Sequence, residues 1–66
     1  MDYTYQPIPD TTLYQLVTGS IIFMLDTTDP AYTKMLSDFQ DPKNIEVFVA
    51  LLHNNPSTAF AIYNNL

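Results

Sequence analysis

The sequence predicts an all-α fold: a small bundle of three to four short helices with an extended N-terminal arm. The main observation is a set of three helix-start dipeptides, namely Asp29-Pro30, Asp41-Pro42 and Asn55-Pro56. An Asp or Asn before a helix accepts hydrogen bonds from first-turn N–H groups. Proline at the first helical position lacks an N–H that would be unpaired there anyway. A second observation is that apolar residues recur at spacings of three and four, which is typical of helices.

The first nine residues are expected to form an arm outside a single helical domain at 10–66. Pro7 and Pro9 restrict their own φ angles and bias the preceding residues toward extended geometry. Tyr3 and Tyr5 alternate along this segment, so an extended backbone places both on one side. Tyrosine is enriched at protein interfaces, which makes the arm a candidate for docking onto a neighbouring molecule.

The first helix is predicted to begin near Asp10 or Thr12 and to end near residues 26–28. Its proposed face comprises Leu13, Leu16, Val17, Ser20, Ile21 and Met24. Gly19 interrupts this helix at a cost of about 1 kcal/mol relative to alanine. The run 21–25 also fits a short buried strand, because periodicity does not separate the two structures over so few residues.

Three more helices are predicted at about 30–39, 42–54 and 56–64, joined by short connections as bundles allow. The second places Met35, Leu36 and Phe39 on one face. The third does the same with Ile45, Phe48, Val49 and Leu52, and the fourth with Ala59, Ile62 and Tyr63.

Composition excludes several classes of protein. The chain has 66 residues, which is at most one domain, and its 7 acidic and 2 basic side chains give a net charge of −5. Two lysines are too few to neutralise nucleic-acid phosphates or to hold an anionic membrane surface. No apolar run reaches the roughly 20 residues that span a bilayer. The absence of cysteine rules out disulfides and cysteine-based metal sites and suits a reducing compartment, so we expect a cytoplasmic protein.

The sequence contains no group of residues that points to catalysis, a metal or a cofactor. His53 is the single histidine and has no evident nucleophile or carboxylate partner. Asp29 and Asp41 are accounted for as helix caps, and the other acids lack the glycine and closing glutamate of a calcium-binding loop. We therefore expect a protein that is not an enzyme and binds no cofactor.

The first and third predicted helices carry more apolar surface than one side of a helix needs. A helix that is apolar around most of its circumference is buried on several sides, and a chain this short has little else to cover it. We therefore expect self-association or a partner. The predicted partner-binding residues, including those of the arm, are Tyr3, Tyr5, Ile8, Ile22, Leu25, Val47 and Leu51.

The predicted function is a non-enzymatic protein–protein interaction module. It would act as a homo-oligomer or as a small regulatory or inhibitory subunit that binds a larger protein through surplus apolar helix surface, without direct contact with nucleic acid or membrane. The alternative is an acidic mimic of nucleic acid that inhibits a DNA- or RNA-binding protein, in the manner of phage or mobile-element accessory proteins. The alternative requires acids gathered on one exposed surface and binding that weakens with salt.

Overall fold

The computed structural model describes residues 2–66 and has an α/β fold, so the prediction of an all-α helical bundle is wrong. Three strands come first: β1 (Thr4–Pro7), β2 (Leu13–Thr18) and β3 (Ile21–Asp26). They form one antiparallel sheet in the order β1-β2-β3. The helical elements follow: a 3₁₀ turn (Pro30–Tyr32), α1 (Thr33–Asp38), α2 (Pro42–Asn54) and α3 (Ala59–Asn64).

The segment predicted as the first helix is the β2–β3 hairpin. Thr18 pairs with Ile21 across the two-residue loop of Gly19 and Ser20. Gly19 has a φ of +58°, whereas Ser20 has a negative φ, as in a type II′ turn with glycine at the first loop position. The flanking residues are rich in β-branched side chains, including Val17 and Ile22, which favour strands. The alternative of a strand at 21–25 is therefore the correct one.

Residues of the predicted arm form an edge strand paired with β2. Thr4 lies opposite Val17, and Pro7 lies opposite Tyr14. The loop that follows is closed by a bond from the Ile8 N–H to the Leu13 carbonyl at 2.9 Å. Within it, Asp10 occupies the left-handed region at a φ of +61°, directly after Pro9. A non-glycine residue is strained there, although aspartate tolerates that region better than most.

Two of the three helix-start dipeptides act as predicted. The Asp29 carboxylate accepts from the Ala31 N–H at 2.9 Å, and the Asp41 carboxylate accepts from the Lys43 N–H at 3.0 Å. The third prediction is wrong, because Asn55 ends α2 and α3 begins only at Ala59. The Asn55 carbonyl instead accepts from the Thr58 N–H at 3.2 Å and closes a turn.

The core lies between one face of the sheet and the helices. Its ten buried apolar residues are Leu16, Leu25, Met35, Phe39, Ile45, Phe48, Val49, Leu52, Ala59 and Tyr63. Phe48 is at its centre, with ring centroids 4.8 Å from Phe23, 5.6 Å from Tyr63 and 5.8 Å from Phe39. Since these helices pack on the inner face of the sheet, the opposite face has no layer over it.

Candidate interaction surface

The face of the sheet that points away from the helices has exposed apolar side chains, and its single charged strand residue is Asp26 at the end of β3. We call it the outer face. Strand alternation places on it Thr4, Gln6, Leu13, Gln15, Val17, Ile22, Met24 and Asp26. Ile22 is 61% exposed and Met24 is 44% exposed. Val17 lies directly opposite Ile22, and Gln15 lies opposite Met24, so the apolar groups lie side by side.

The edge of β3 is open to further pairing. The Thr27 N–H donates to the Thr12 carbonyl at 2.8 Å. Together with the register, this bond shows which residue pairs of the β2–β3 ladder are hydrogen-bonded and which are not. In an antiparallel pair, bonded and non-bonded residues alternate. Phe23 and Leu25 therefore bond to β2, whereas the backbone N–H and C=O groups of Ile22 and Met24 point away from it. No loop or turn bond within residues 2–66 reaches those groups.

On the opposite edge, formed by β1, one of the outward-facing positions lacks a donor. The Ile8–Leu13 bond makes that pair a hydrogen-bonded one, so the next pair, Pro7 and Tyr14, is a non-bonded one. The nitrogen of Pro7 therefore points toward the open side. That nitrogen carries no hydrogen. Proline on an edge strand is a common device against unwanted pairing. Thus the β3 edge presents donors and acceptors, whereas the β1 edge is interrupted.

Three loops meet at the end of the sheet where β3 finishes. The Thr12 hydroxyl donates to the Asp26 carboxylate at 3.0 Å, and the Thr27 hydroxyl donates to the Thr12 carbonyl at 2.7 Å. These bonds join the β1–β2 loop to the loop after β3, and Thr27 and Gln40, which follows α1, line one cleft. We call this the acidic end, because at or beside these loops lie Asp10, Asp26, Asp29, Asp38 and Asp41.

Hydrogen bonds stabilise the ionised form of two acids at this end. The Thr28 backbone N–H lowers the pKa of Asp26 most, followed by the hydroxyls of Thr28 and Thr12. Bonds from Lys34 at 2.9 Å and from the Tyr63 hydroxyl at 3.0 Å lower the pKa of Asp38. Burial and the bond to Asp38 raise the pKa of Tyr63 to about 12. The Thr12–Asp26 bond links two loops, and the Tyr63–Asp38 bond joins α3 to α1.

An aromatic cleft of about 320 Å³ opens between the inner side of β1 and β2 and helix α1. Its lining residues are Tyr5, Tyr14, Thr27, Leu36, Phe39 and Gln40. The rings of Tyr5 and Tyr14 stack at a centroid distance of 5.2 Å, and Phe39 meets Tyr5 edge-on at 5.4 Å. Burial, followed by the neighbouring Tyr14, raises the pKa of Tyr5. The cleft is apolar with hydroxyl and amide groups at its margin.

The single histidine fastens α2 to the sheet. Thr18 is 1% exposed, and its hydroxyl lies 3.0 Å from the Asp2 carbonyl and 2.7 Å from His53 Nε2. The carbonyl can only accept, so both contacts are hydrogen bonds in the tautomer in which His53 Nε2 carries the proton and donates to Thr18. This polar link across the inner face was not foreseen from the sequence, because Thr18 carries no motif of its own.

The structure does not bring the predicted partner-binding residues together. Leu25 is fully buried, and Tyr3, Tyr5 and Leu51 are half-buried against the core. Ile8 lies in the β1–β2 loop. Ile22 and Val47 are exposed, but Ile22 belongs to the outer face and Val47 to α2 in the other layer.

Sequence reasoning missed Met24 and the open edge. The two-residue Gly19-Ser20 loop between β-branched segments was the available signal for a hairpin. A hairpin would have placed Ile22 and Met24 on one face.

No family model, curated protein or solved structure matches this chain. Within the described residues, no group of three or more acidic or histidine side chains is placed to hold a metal ion. None of the helices between residues 2 and 66 has the length and apolar character needed to cross a bilayer.

Proposed function

We propose that the protein is a non-enzymatic protein–protein interaction module that binds its partner through the outer face and the open edge of β3. The observation that supports this proposal most is the charge distribution. In a chain of net charge −5, the strands place a single charged side chain on the outer face, Asp26 at the end of β3, and they expose Ile22 and Met24. Exposed apolar groups bordered by polar ones are typical of binding surfaces.

The open edge adds a second means of recognition. An extended segment of a partner can extend the sheet at β3, where backbone bonds supply affinity and neighbouring side chains supply specificity. The chain would then act as a small regulatory or inhibitory subunit that covers part of a larger protein, or assemble with itself. We also propose a cytoplasmic location, which the lack of cysteine supports.

Affinity capture with matched variants tests this proposal. The immobilised full chain is exposed to extract of its host cell beside Ile22→Lys and, as a control, Val47→Lys on the exposed side of α2. We expect the partner to be retained by the natural chain and by Val47→Lys and lost with Ile22→Lys, because a lysine on the outer face must be desolvated on binding. With the purified partner, Kd should rise at least tenfold for Ile22→Lys.

Circular dichroism shows whether each variant keeps its fold. The reverse pattern, with binding lost in Val47→Lys and kept in Ile22→Lys, would place the interface on the helices and contradict the proposal.

A second candidate is the acidic mimic of nucleic acid, which the acidic end favours. Acids from three loops lie there, whereas Asp2 and Glu46 lie elsewhere. This candidate predicts competition with nucleic acid for a basic partner and an affinity that falls steeply with salt. Asp10→Asn combined with Asp29→Asn should weaken that binding without loss of the Asp29 cap, since asparagine also caps helices. Binding that ignores salt and depends on Ile22 would favour the outer face instead.

A further inference from the structure

We propose that the open edge of β3 pairs antiparallel with β3 of a second copy, which gives a two-fold dimer with one continuous sheet. This inference rests on the proposed function and names the partner at that surface. Antiparallel pairing of identical strands obeys two-fold symmetry, so each copy offers the other the same groups. The chain therefore supplies its own complementary strand.

The free backbone groups define the register. Ile22 and Met24 are the β3 residues whose N–H and C=O groups face the open side, with Phe23 between them bonded to β2. The free N–H and C=O groups of both residues all find partners when Ile22 of one copy lies opposite Met24 of the other. The two-fold axis then passes through the pair of Phe23 residues. Each Ile22–Met24 pair then exchanges both of its N–H···O bonds.

The same register extends the outer face across the dimer. Ile22 and Met24 of the second copy become cross-strand neighbours on that face, where side chains directly opposite contact each other. Val17 already lies beside Ile22 within one copy. The most exposed apolar side chains of the sheet thus cover one another.

The charges favour an antiparallel second copy over a parallel one. Two chains of net charge −5 repel each other, and β3 ends at Asp26 in the acidic end. A parallel in-register pair would place Asp26 beside its own copy. The antiparallel register places it opposite Ser20 of the other chain, whose hydroxyl can donate to a carboxylate. The two acidic ends then point in opposite directions, and the contact itself carries no charge between Ile21 and Leu25.

Because the chain has no natural cysteine, disulfide cross-linking tests the register directly. Ile22→Cys and Met24→Cys are prepared separately, with a tag on one of them, and oxidised alone and mixed. Residues 22 and 24 of different copies have Cα atoms about 5.5 Å apart in this register, which a disulfide spans. Identical positions are displaced along the strands and lie beyond disulfide reach. We expect the mixture to link at least tenfold faster than either variant alone. Linking of Ile22→Cys alone at the rate of the mixture would overturn the antiparallel register.

Light scattering across a dilution series tests the edge itself. Met24→Pro removes an N–H that the β2–β3 ladder does not use, as Pro7 does in β1, so we expect a folded monomer. Met24→Thr is the control, because it shortens the side chain but keeps the N–H, and it should remain dimeric. A dimer that survives Met24→Pro would overturn the proposal. If Met24→Pro fails to fold, the cross-linking result decides.

Failure of this inference is distinguishable from failure of the proposed function. A natural chain that stays monomeric at every concentration, yet captures a partner that Ile22→Lys loses, would overturn the second copy as occupant and leave the interaction module standing. A dimer whose capture of a larger protein is unchanged by Ile22→Lys would support the pairing and contradict that surface as the site for the larger protein.

Discussion

The two outer strands of the sheet flank the same central strand but differ in almost every other respect. β1 has four residues, ends in Pro7 and presents the polar side chains of Thr4 and Gln6 on the outer face. β3 has six residues, contains no proline and carries apolar side chains on both of its faces. β1 therefore has the features of an edge that stays single, whereas β3 has those of a strand with a neighbour on each side.

This difference shows that the exposure of Ile22 and Met24 is not shared by the whole sheet. If the sheet were adapted to solubility alone, both of its edge strands would have the same protection against pairing. Here the proline that limits edge pairing occurs on β1 alone, which is why we assign the binding surface to β3. Three measurements test whether the two strands differ in this way.

The largest effect is expected from the inner side of β3. Leu25 is fully buried, so Leu25→Ala should lower the free energy of unfolding by about 2–5 kcal/mol. A domain of 66 residues has roughly 3–10 kcal/mol in total, so this variant should be close to unfolded. Tyr5→Ala on β1 should cost less, about 1–2 kcal/mol, because Tyr5 is half-buried beside the cleft. Urea denaturation followed by circular dichroism measures both.

The matched control on the outer side of β3 is Met24→Ala, which should change the free energy of unfolding of the monomer by under about 1 kcal/mol. Equal losses for Leu25→Ala and Met24→Ala would show that both faces of β3 are buried within one chain, and the comparison would fail.

Both hairpin loops should favour glycine, because each contains a residue with a positive φ. Gly19→Ala should cost about 1–2 kcal/mol, because alanine is disfavoured at a φ of +58°. Space is sufficient, since the added Cβ would lie 3.5 Å from His53 Cε1. Asp10→Gly should instead stabilise the β1 hairpin by up to about 0.5 kcal/mol, since relief of the left-handed strain exceeds the added chain entropy. Thermal melting compares them, and a neutral Gly19→Ala would contradict the assigned turn.

The smallest effect concerns acid pH. The pKa of Asp26, at the end of β3, is lowered in the fold, so its stabilising effect is present above its ordinary pKa and lost as the pH falls through the folded value. The free energy of unfolding should therefore decrease below about pH 4. Asp26→Asn should flatten part of that decrease, as should Asp38→Asn in the helical layer. An unchanged pH profile in both variants would show that neither carboxylate contributes.

The helix starts could be predicted because their signals are local. Asp29 and Asp41 act on the helical turn that directly follows each of them, so the dipeptide contains all the information needed. The extent of α2 agrees with its prediction for the same reason. The helix start predicted at Asn55 was wrong because the Asn55 carbonyl closes a turn with Thr58. Local capping rules allow this alternative equally.

The hairpin was misread because its strands are apolar on both sides. Ile22 and Met24 on the outer face interrupt the alternation that Ile21, Phe23 and Leu25 would otherwise show. Thr18 adds to this ambiguity, because it is polar yet buried on the inner face. The remaining spacings of three and four then fit a helix by coincidence.

The candidate surface depends on topology more than on local pattern. The strand order leaves β3 at an edge, and the helices pack on one face only. Neither fact follows from the residues of β3 themselves. Of the two residues counted as apolar surplus on α2, Leu51 packs against the core, whereas Val47 is exposed.

All three strands precede all of the helical elements along the chain, and this order affects how the protein is made on the ribosome. Leu16 and Leu25 are synthesised well before α2 and α3, which later cover them. A nascent chain that has completed only the hairpins has an unprotected apolar side and gains little stability from folding early. Productive folding should therefore wait until α3 has emerged, and a pause in translation between β3 and α2 would expose the chain to aggregation or to chaperones.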